Sequence, residues 1–259
     1  MSKILQSERI SNFTIDVALR EKIGKRFQSD PEYFNLESPH LFRAKQILNN
    51  VFPNSQSKVI IDIGAGDGTI SEEIVSLFKC NNLHAFEPQK NQYEKLSKKS
   101  LTIPSITPYH CALGSSPNKL ELNINHNIGS SSFHAKNSSI SNNYYNEKLS
   151  KEKTELVEVK TLDSFNFQTD IDLIKVDIQG FEIEALKGAL NTLKKTKLVL
   201  IEMQNHDFYV DAPKYYEIDA FMRQVGFDFC FHVQMSRSYK IHRELEWDAL
   251  YINQDLSTN

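Results

Sequence analysis

The stretch VIIDIGAGDGTI, residues 59–70, constrains this chain more than any other. An apolar strand containing Val59, Ile60 and Ile61 runs directly into Gly64, Gly66 and Gly68 at alternate positions. Glycine has no Cβ and adopts left-handed backbone readily, so a turn of this kind lets a ligand lie against the main chain. A strand, a glycine turn and a helix in that order place the chain among α/β folds.

The segments that follow repeat the alternation. TISEEIVSLFK reads as a helix, LHAFEP as a strand, QKNQYEKLSKKS as a helix and ITPYHCAL as a strand. Further on, IDLIKVDI and KLVLIEM read as strands on either side of one helix, EIEALKGALNTL. Strands joined by helices imply right-handed crossovers and a parallel sheet covered on both faces. Helix YYEIDAFMRQVG then leads to FDFCFHVQ and EWDALYIN, which lack a helix between them and read as a hairpin with an antiparallel edge. Before the first strand, residues 1–57 read as a helical extension, with helices at 16–27 and 38–52. Residues 58–259 then form the α/β domain. Within it, residues 114–153 are rich in Asn, Ser and Lys. They read as a polar, lid-like insert, with KLELNI and ELVEVKTL as paired strands at its edges. Gly129 to Ser132 is the segment expected to touch the acceptor.

The charges around the turn narrow the ligand. A dinucleotide turn reads G-x-G-x-x-G with a pyrophosphate at the helix start, but here Thr69 stands in place of the third glycine. Asp62 and Asp67 flank the turn, and carboxylates there repel phosphates and suit cationic groups. S-adenosylmethionine carries an ammonium and a sulfonium and no phosphate. Glu87, at the end of the second strand, is placed to accept hydrogen bonds from two ribose hydroxyls.

Those residues belong to a longer pattern. DIGAGDG, FEP, ALG, TLDSF, IDLIKVDIQGFEIEALKGA and LVLIEM, in that order, resemble the FkbM family of S-adenosylmethionine-dependent methyltransferases over residues 58–253. The resemblance implies a class I methyltransferase fold: a Rossmann-like, doubly wound, seven-stranded sheet whose last strand is antiparallel. It also implies methyl transfer to a hydroxyl oxygen, of a sugar in a glycan or glycolipid or of a small natural product. The cofactor residues it implies are Asp62, Gly64, Ala65, Gly66, Asp67 and Gly68 in the turn, Glu87 and Pro88 after the second strand, Ala112 near the adenine, and Asp177. Gln179 departs from the pattern, since many relatives carry Glu there.

Transfer to an alcohol benefits from a base beside the hydroxyl. The carboxyl ends of the later strands deliver Asp177, Glu182, Glu202 and His206 as candidates, and Asp177 is the leading one because a carboxylate ending an apolar strand needs a reason. No His or Cys cluster has metal-ligand spacing, so a metal-free site is expected. Other classes are an NAD-dependent oxidoreductase, disfavoured by Thr69 and Asp67, and a catalytically inactive binding module. The net charge of −3 provides no basic field for nucleic acid. The absence of a leader, of a long apolar run and of paired cysteines points to a cytoplasmic chain without a transmembrane segment.

Overall fold

The computed structural model describes residues 38–53, 58–124, 131–137, 153–205, 207–238 and 243–257. The chain divides into two units, residues 1–42 and 43–259. Only residues 38–42 of the first are described, and they open helix α1 (Pro39–Val51). The helix expected at 16–27 lies outside the described residues.

The second unit is built around a seven-stranded sheet. Strand β1 (Val59–Ile63) is buried along its whole length, and the glycine turn carries it into α2 (Thr69–Phe78). Next come β2 (Asn82–Phe86), α3 (Lys90–Ser100) and β3 (Ile106–Tyr109). After a second, smaller sheet, β7 (Ile171–Val176) returns to the centre, followed by α4 (Glu182–Lys187), α5 (Leu190–Leu193) and β8 (Thr196–Gln204). Helix α6 (Tyr215–Gln224) precedes the hairpin β9 (Phe227–Ser238) and β10 (Arg243–Asn253), and α7 (Gln254–Ser257) ends the described chain.

The sheet order is β3-β2-β1-β7-β8-β10-β9. All pairs from β3 to β8 are parallel, and β10 alone runs against its neighbours. The hairpin expected from sequence is therefore present, but its second strand inserts inside β9 and leaves β9 at the edge. β1 and β7 are buried along their whole length and mainly apolar, the pattern of central parallel strands, interrupted by Asp62, Asp172 and Lys175.

Two expected elements are divided. ITPYHCAL forms β3 in the main sheet and then β4 (Ala112–Leu113) in a second sheet, β4-β6-β5, with β5 at Asn118–Ile124 and β6 at Lys153–Lys160. At the corner the His110 ring stacks on Tyr93 at 4.5 Å between centroids. The helix EIEALKGALNTL breaks at Gly188, where a Cβ would lie 2.0 Å from the Gly114 carbonyl oxygen. Asp163, in TLDSF, caps the second piece by accepting from the Asn191 and Thr192 amides at 2.9 and 2.8 Å. This motif residue holds a helix end.

Within the region expected as an insert, the described residues are 114–124, 131–137 and 153. β5 and β6 pair antiparallel over seven positions. Residues 131–137 are pinned by bridges from Ser132 to Asn123 and from Lys136 to Tyr209. The rest of the insert, at 125–130 and 138–152, lies outside the described residues. Among the described residues, no helix is long and apolar enough to cross a membrane.

Candidate functional site

A cavity of about 360 Å³ opens beyond the carboxyl ends of β1, β2 and β7. This is where strand order reverses about β1, the usual ligand position in open α/β sheets. Its size falls within the common range for small-molecule sites.

The glycine turn forms one wall, and its glycines serve different ends. Gly64 has φ +85°, and a Cβ there would meet the Asp177 carbonyl oxygen at 1.9 Å. Its bareness is required by the neighbouring strand end and not by a ligand. Gly66 has φ +57°, and a Cβ there would meet nothing within 4 Å. Gly66 borders the cavity, so its missing side chain keeps that space open. Ala65 and Asp67 also line the cavity. Asp67 is anchored as well, accepting from the Thr69 amide at 3.1 Å and hydroxyl at 2.7 Å. Those bonds hold its carboxyl below the usual range.

Asp62 and Gly68 stand elsewhere. Asp62 is fully buried behind the cavity wall, accepts from the Ser71 hydroxyl at 2.6 Å and lies 3.8 Å from the Lys175 ammonium. Its carboxylate therefore answers an internal cation and faces no ligand directly. Burial pushes its carboxyl up against the pull of Lys175 and Ser71. Gly68 caps α2 with its back to α3, where a Cβ would come within 2.8 Å of Leu96.

Glu87 and Pro88 line the cavity from the end of β2. The two Glu87 carboxylate oxygens each accept a backbone amide, Gly66 at 2.8 Å and Gln89 at 2.8 Å. The side chain thus ties the glycine turn to the start of α3 and still has lone pairs directed at the cavity. Burial pushes its carboxyl up to about 7. Ala112 lines the far end with Leu113, Leu122 and Phe133, an apolar pocket suited to a flat ring. Ser131 and Phe133, from the pinned segment, complete that wall, so the end of the expected contact segment does reach the cavity.

The opposite wall is a polar network around Gln179, a residue at φ +55°. Its side-chain amide donates to Glu202 at 2.6 Å and to Asp177 at 3.1 Å, while its carbonyl accepts from the Tyr209 hydroxyl at 2.9 Å. The Gln179 backbone carbonyl accepts from the Ser132 hydroxyl at 2.6 Å. A carboxylate in place of this amide would have to face two others. The amide bridges them instead, which explains how the site accommodates Gln at this position.

Asp177 and Lys175 line the cavity, and the Asp177 side chain retains 33% of its exposure. Burial pushes the Asp177 carboxyl up, but Lys175 at 3.3 Å and the Gln179 amide outweigh it and hold the group ionised. Lys175 is itself buried. Burial favours loss of its proton, and Asp177, Asp62 and Asp248 reverse that and keep the ammonium charged. Glu202 is buried one step back from the cavity, and burial together with Asp177 raises its carboxyl well above the usual value.

Two catalytic candidates take other places. One Glu182 oxygen accepts the Ile178 and Gly180 amides at 3.2 and 3.0 Å, so this side chain braces the loop after β7 and does not line the cavity. His206 lies outside the described residues. Lys175 and Tyr209 were not expected. The signal for Lys175 was a lysine within an apolar strand, two residues before Asp177 and paired in register with Asp62. Tyr209 follows β8 in an irregular segment, and no local spacing marks it. Among the described residues, no group of three or more His, Cys, Asp or Glu side chains has a metal-binding arrangement.

A sequence model described as the methyltransferase FkbM domain matches residues 62–229. No curated protein matches the chain. Among solved structures, the chain is similar to methyltransferase FkbM from Methylobacillus flagellatus KT, with 13% identity, TM-score 0.50, and coverage of 93% of this chain and 60% of that one. The chain thus spans less than two thirds of that relative. It is also similar to magnesium protoporphyrin IX methyltransferase from Synechocystis PCC 6803, at 8% identity, TM-score 0.46, and 92% and 99% coverage. An rRNA methylase from Streptococcus thermophilus shares 10% identity, with TM-score 0.43 and 82% and 94% coverage.

Proposed function

The chain belongs to the FkbM methyltransferase family, and on that premise we propose that it transfers a methyl group from S-adenosylmethionine to a hydroxyl of a sugar in a glycan or glycolipid. The observation that carries the reading is the cavity itself. Gly66 leaves space against bare backbone, Glu87 lines that space from the end of β2, and Asp177 faces it from the opposite wall. The apolar end around Ala112 and Phe133 suits an adenine.

When bound, S-adenosylmethionine supplies the electrophilic methyl group. The chain's own residues supply position and a proton acceptor. Asp177 is ionised at neutral pH because Lys175 stands beside it, so it accepts a hydrogen bond from an acceptor hydroxyl and takes up the proton as the oxygen attacks. Gln179 and Tyr209 fix the orientation of that carboxylate, and alignment of this kind supplies much of the acceleration in displacement reactions. Glu202 serves as a positioning residue through Gln179.

The test is incubation with S-adenosylmethionine labelled in its methyl group and a glycan extract from the source cell, followed by mass spectrometry. The expected result is a labelled methyl ether on a sugar that is absent with Asp177→Asn. Label appearing on nitrogen or carbon, or on RNA alone, would contradict the reading.

A further inference from the structure

A second cavity, of about 270 Å³, lies apart from the first, between α6 and the strands β8, β10 and β9. In β10, Trp247 pairs in register with Met203 and Asp248 with Glu202. Side chains alternate across a sheet, so Trp247, Ala249 and Tyr251 stand on the face opposite Asp248 and Glu202. The second cavity therefore lies across the sheet from the carboxylate network of the first.

Its walls are rings. Tyr215 and Tyr216, at the start of α6, meet edge to face at 5.6 Å, and Tyr215 lies 5.3 Å from Trp247. His232 and Phe229 close the β9 side, with Phe229 edge-on to Tyr251 at 5.7 Å. Tyr216 keeps 59% of its exposure and Tyr215 40%, large values for aromatic side chains beside a concave surface. At the cavity Asp219 accepts from the Tyr251 hydroxyl at 3.0 Å and pairs with Arg223 at 2.8 Å.

That combination specifies a ligand chemistry. Arg223 pairs with Asp219 at 2.8 Å and lies 3.7 Å from Asp228, so its charge is already answered by carboxylates and the site does not select an anion such as phosphate. The remaining lone pairs and N–H groups of Asp219 and Arg223 are those that bond hydroxyls in pairs. The electron-rich ring faces attract the polarised C–H face of a saturated ring. A ligand with one C–H face and a rim of hydroxyls matches both. We propose that this cavity binds an uncharged sugar ring and is a second carbohydrate site, remote from the methyl-transfer cavity. Its occupant is argued from the cavity alone, and its link to the methylated glycan rests on the function proposed above.

The chain has one tryptophan, and it lines this cavity, so intrinsic Trp fluorescence reports the site directly. Full-length protein is titrated with the methyl pyranosides of glucose, galactose, mannose and rhamnose. The expected result is a saturable change with at least one of them. Tyr216→Ala, at an exposed position, should weaken that binding about tenfold. Its affinity for S-adenosylhomocysteine should stay at the wild-type value, which separates this site from the first. No saturable change with any of the four sugars, or equal affinity in Tyr216→Ala, would overturn the proposal. A fluorescence shift that follows protein concentration without sugar, accompanied by a dimer mass, would also overturn it and assign the face to a second copy of the chain. Neither outcome depends on methyl transfer, so failure here leaves the enzymatic reading standing.

Discussion

Replacing Gly64 and Gly66 separately by alanine tests whether the two glycines have the different roles the structure gives them. At Gly64 the new methyl would lie 1.9 Å from the Asp177 carbonyl oxygen, and the Asp177 amide donates to Ile63 at 3.1 Å. The methyl can be accommodated only by parting the ends of β1 and β7. Overpacking against backbone, added to left-handed strain at φ +85°, costs about 2–5 kcal/mol. For a domain of this size that lowers Tm by about 4–20 °C. At Gly66 the methyl meets no protein atom, so only the strain at φ +57° remains, about 1–2 kcal/mol and about 2–8 °C. The methyl instead occupies the edge of the cavity. Thermal melts combined with calorimetric titration of S-adenosylhomocysteine separate the two effects. Gly64→Ala should unfold early. Gly66→Ala should stay folded at room temperature and bind at least about tenfold more weakly. A Gly64→Ala protein melting with the wild type, or a Gly66→Ala protein binding as tightly as the wild type, would refute the assignment.

Tyr209→Phe removes the donor to the half-buried Gln179 amide oxygen, costing about 0.5–1.5 kcal/mol. Turnover should fall while S-adenosylhomocysteine affinity holds, a split that steady-state kinetics and calorimetry resolve. Glu87 and Glu182 have carboxyls pushed up to about 7 by burial, above their unfolded values. The fold therefore favours their protonated forms: this contribution is full below about pH 4.5 and is lost as pH rises through about 7, on the order of 3 kcal/mol per group. Because a single Glu182 oxygen accepts both loop amides, Glu182→Gln keeps those bonds. Denaturant unfolding should show that variant no less stable than wild type at about pH 8, with a flatter pH profile and retained activity. Turnover should survive exhaustive EDTA treatment, since the Gln179 amide bridges Asp177 and Glu202. Loss with EDTA and recovery with magnesium would move those carboxylates to metal ligands.

Strand and helix order was legible because burial writes itself into period: five consecutive buried residues in β1 and six in β7 leave mainly apolar runs, broken only by Asp62, Asp172 and Lys175. The turn was legible because three glycines at alternate positions follow an apolar strand, although only Gly66 of the three leaves its space to the cavity. The division of ITPYHCAL was not, since an apolar run does not record which sheet its two halves join. The roles of Asp62 and Glu182 were misplaced for one reason. Sequence shows a carboxylate near a site, but not whether its oxygens point at a ligand, at Lys175 or at loop amides. Lys175 was visible as an anomaly in an apolar strand and is explained only once register brings Asp62 beside it. Tyr209 acts across 30 residues on Gln179, and such a contact leaves no local trace.

The central claim is that the glycine-turn cavity holds S-adenosylmethionine and not a dinucleotide. Calorimetric titration of the full chain with S-adenosylhomocysteine and, separately, with NAD tests it most directly. The expected result is one-to-one binding of S-adenosylhomocysteine, weakened by about 1.5–3 kcal/mol in Glu87→Ala, and no heat from NAD. Saturable binding of NAD with none of S-adenosylhomocysteine, or unchanged affinity in Glu87→Ala, would contradict it.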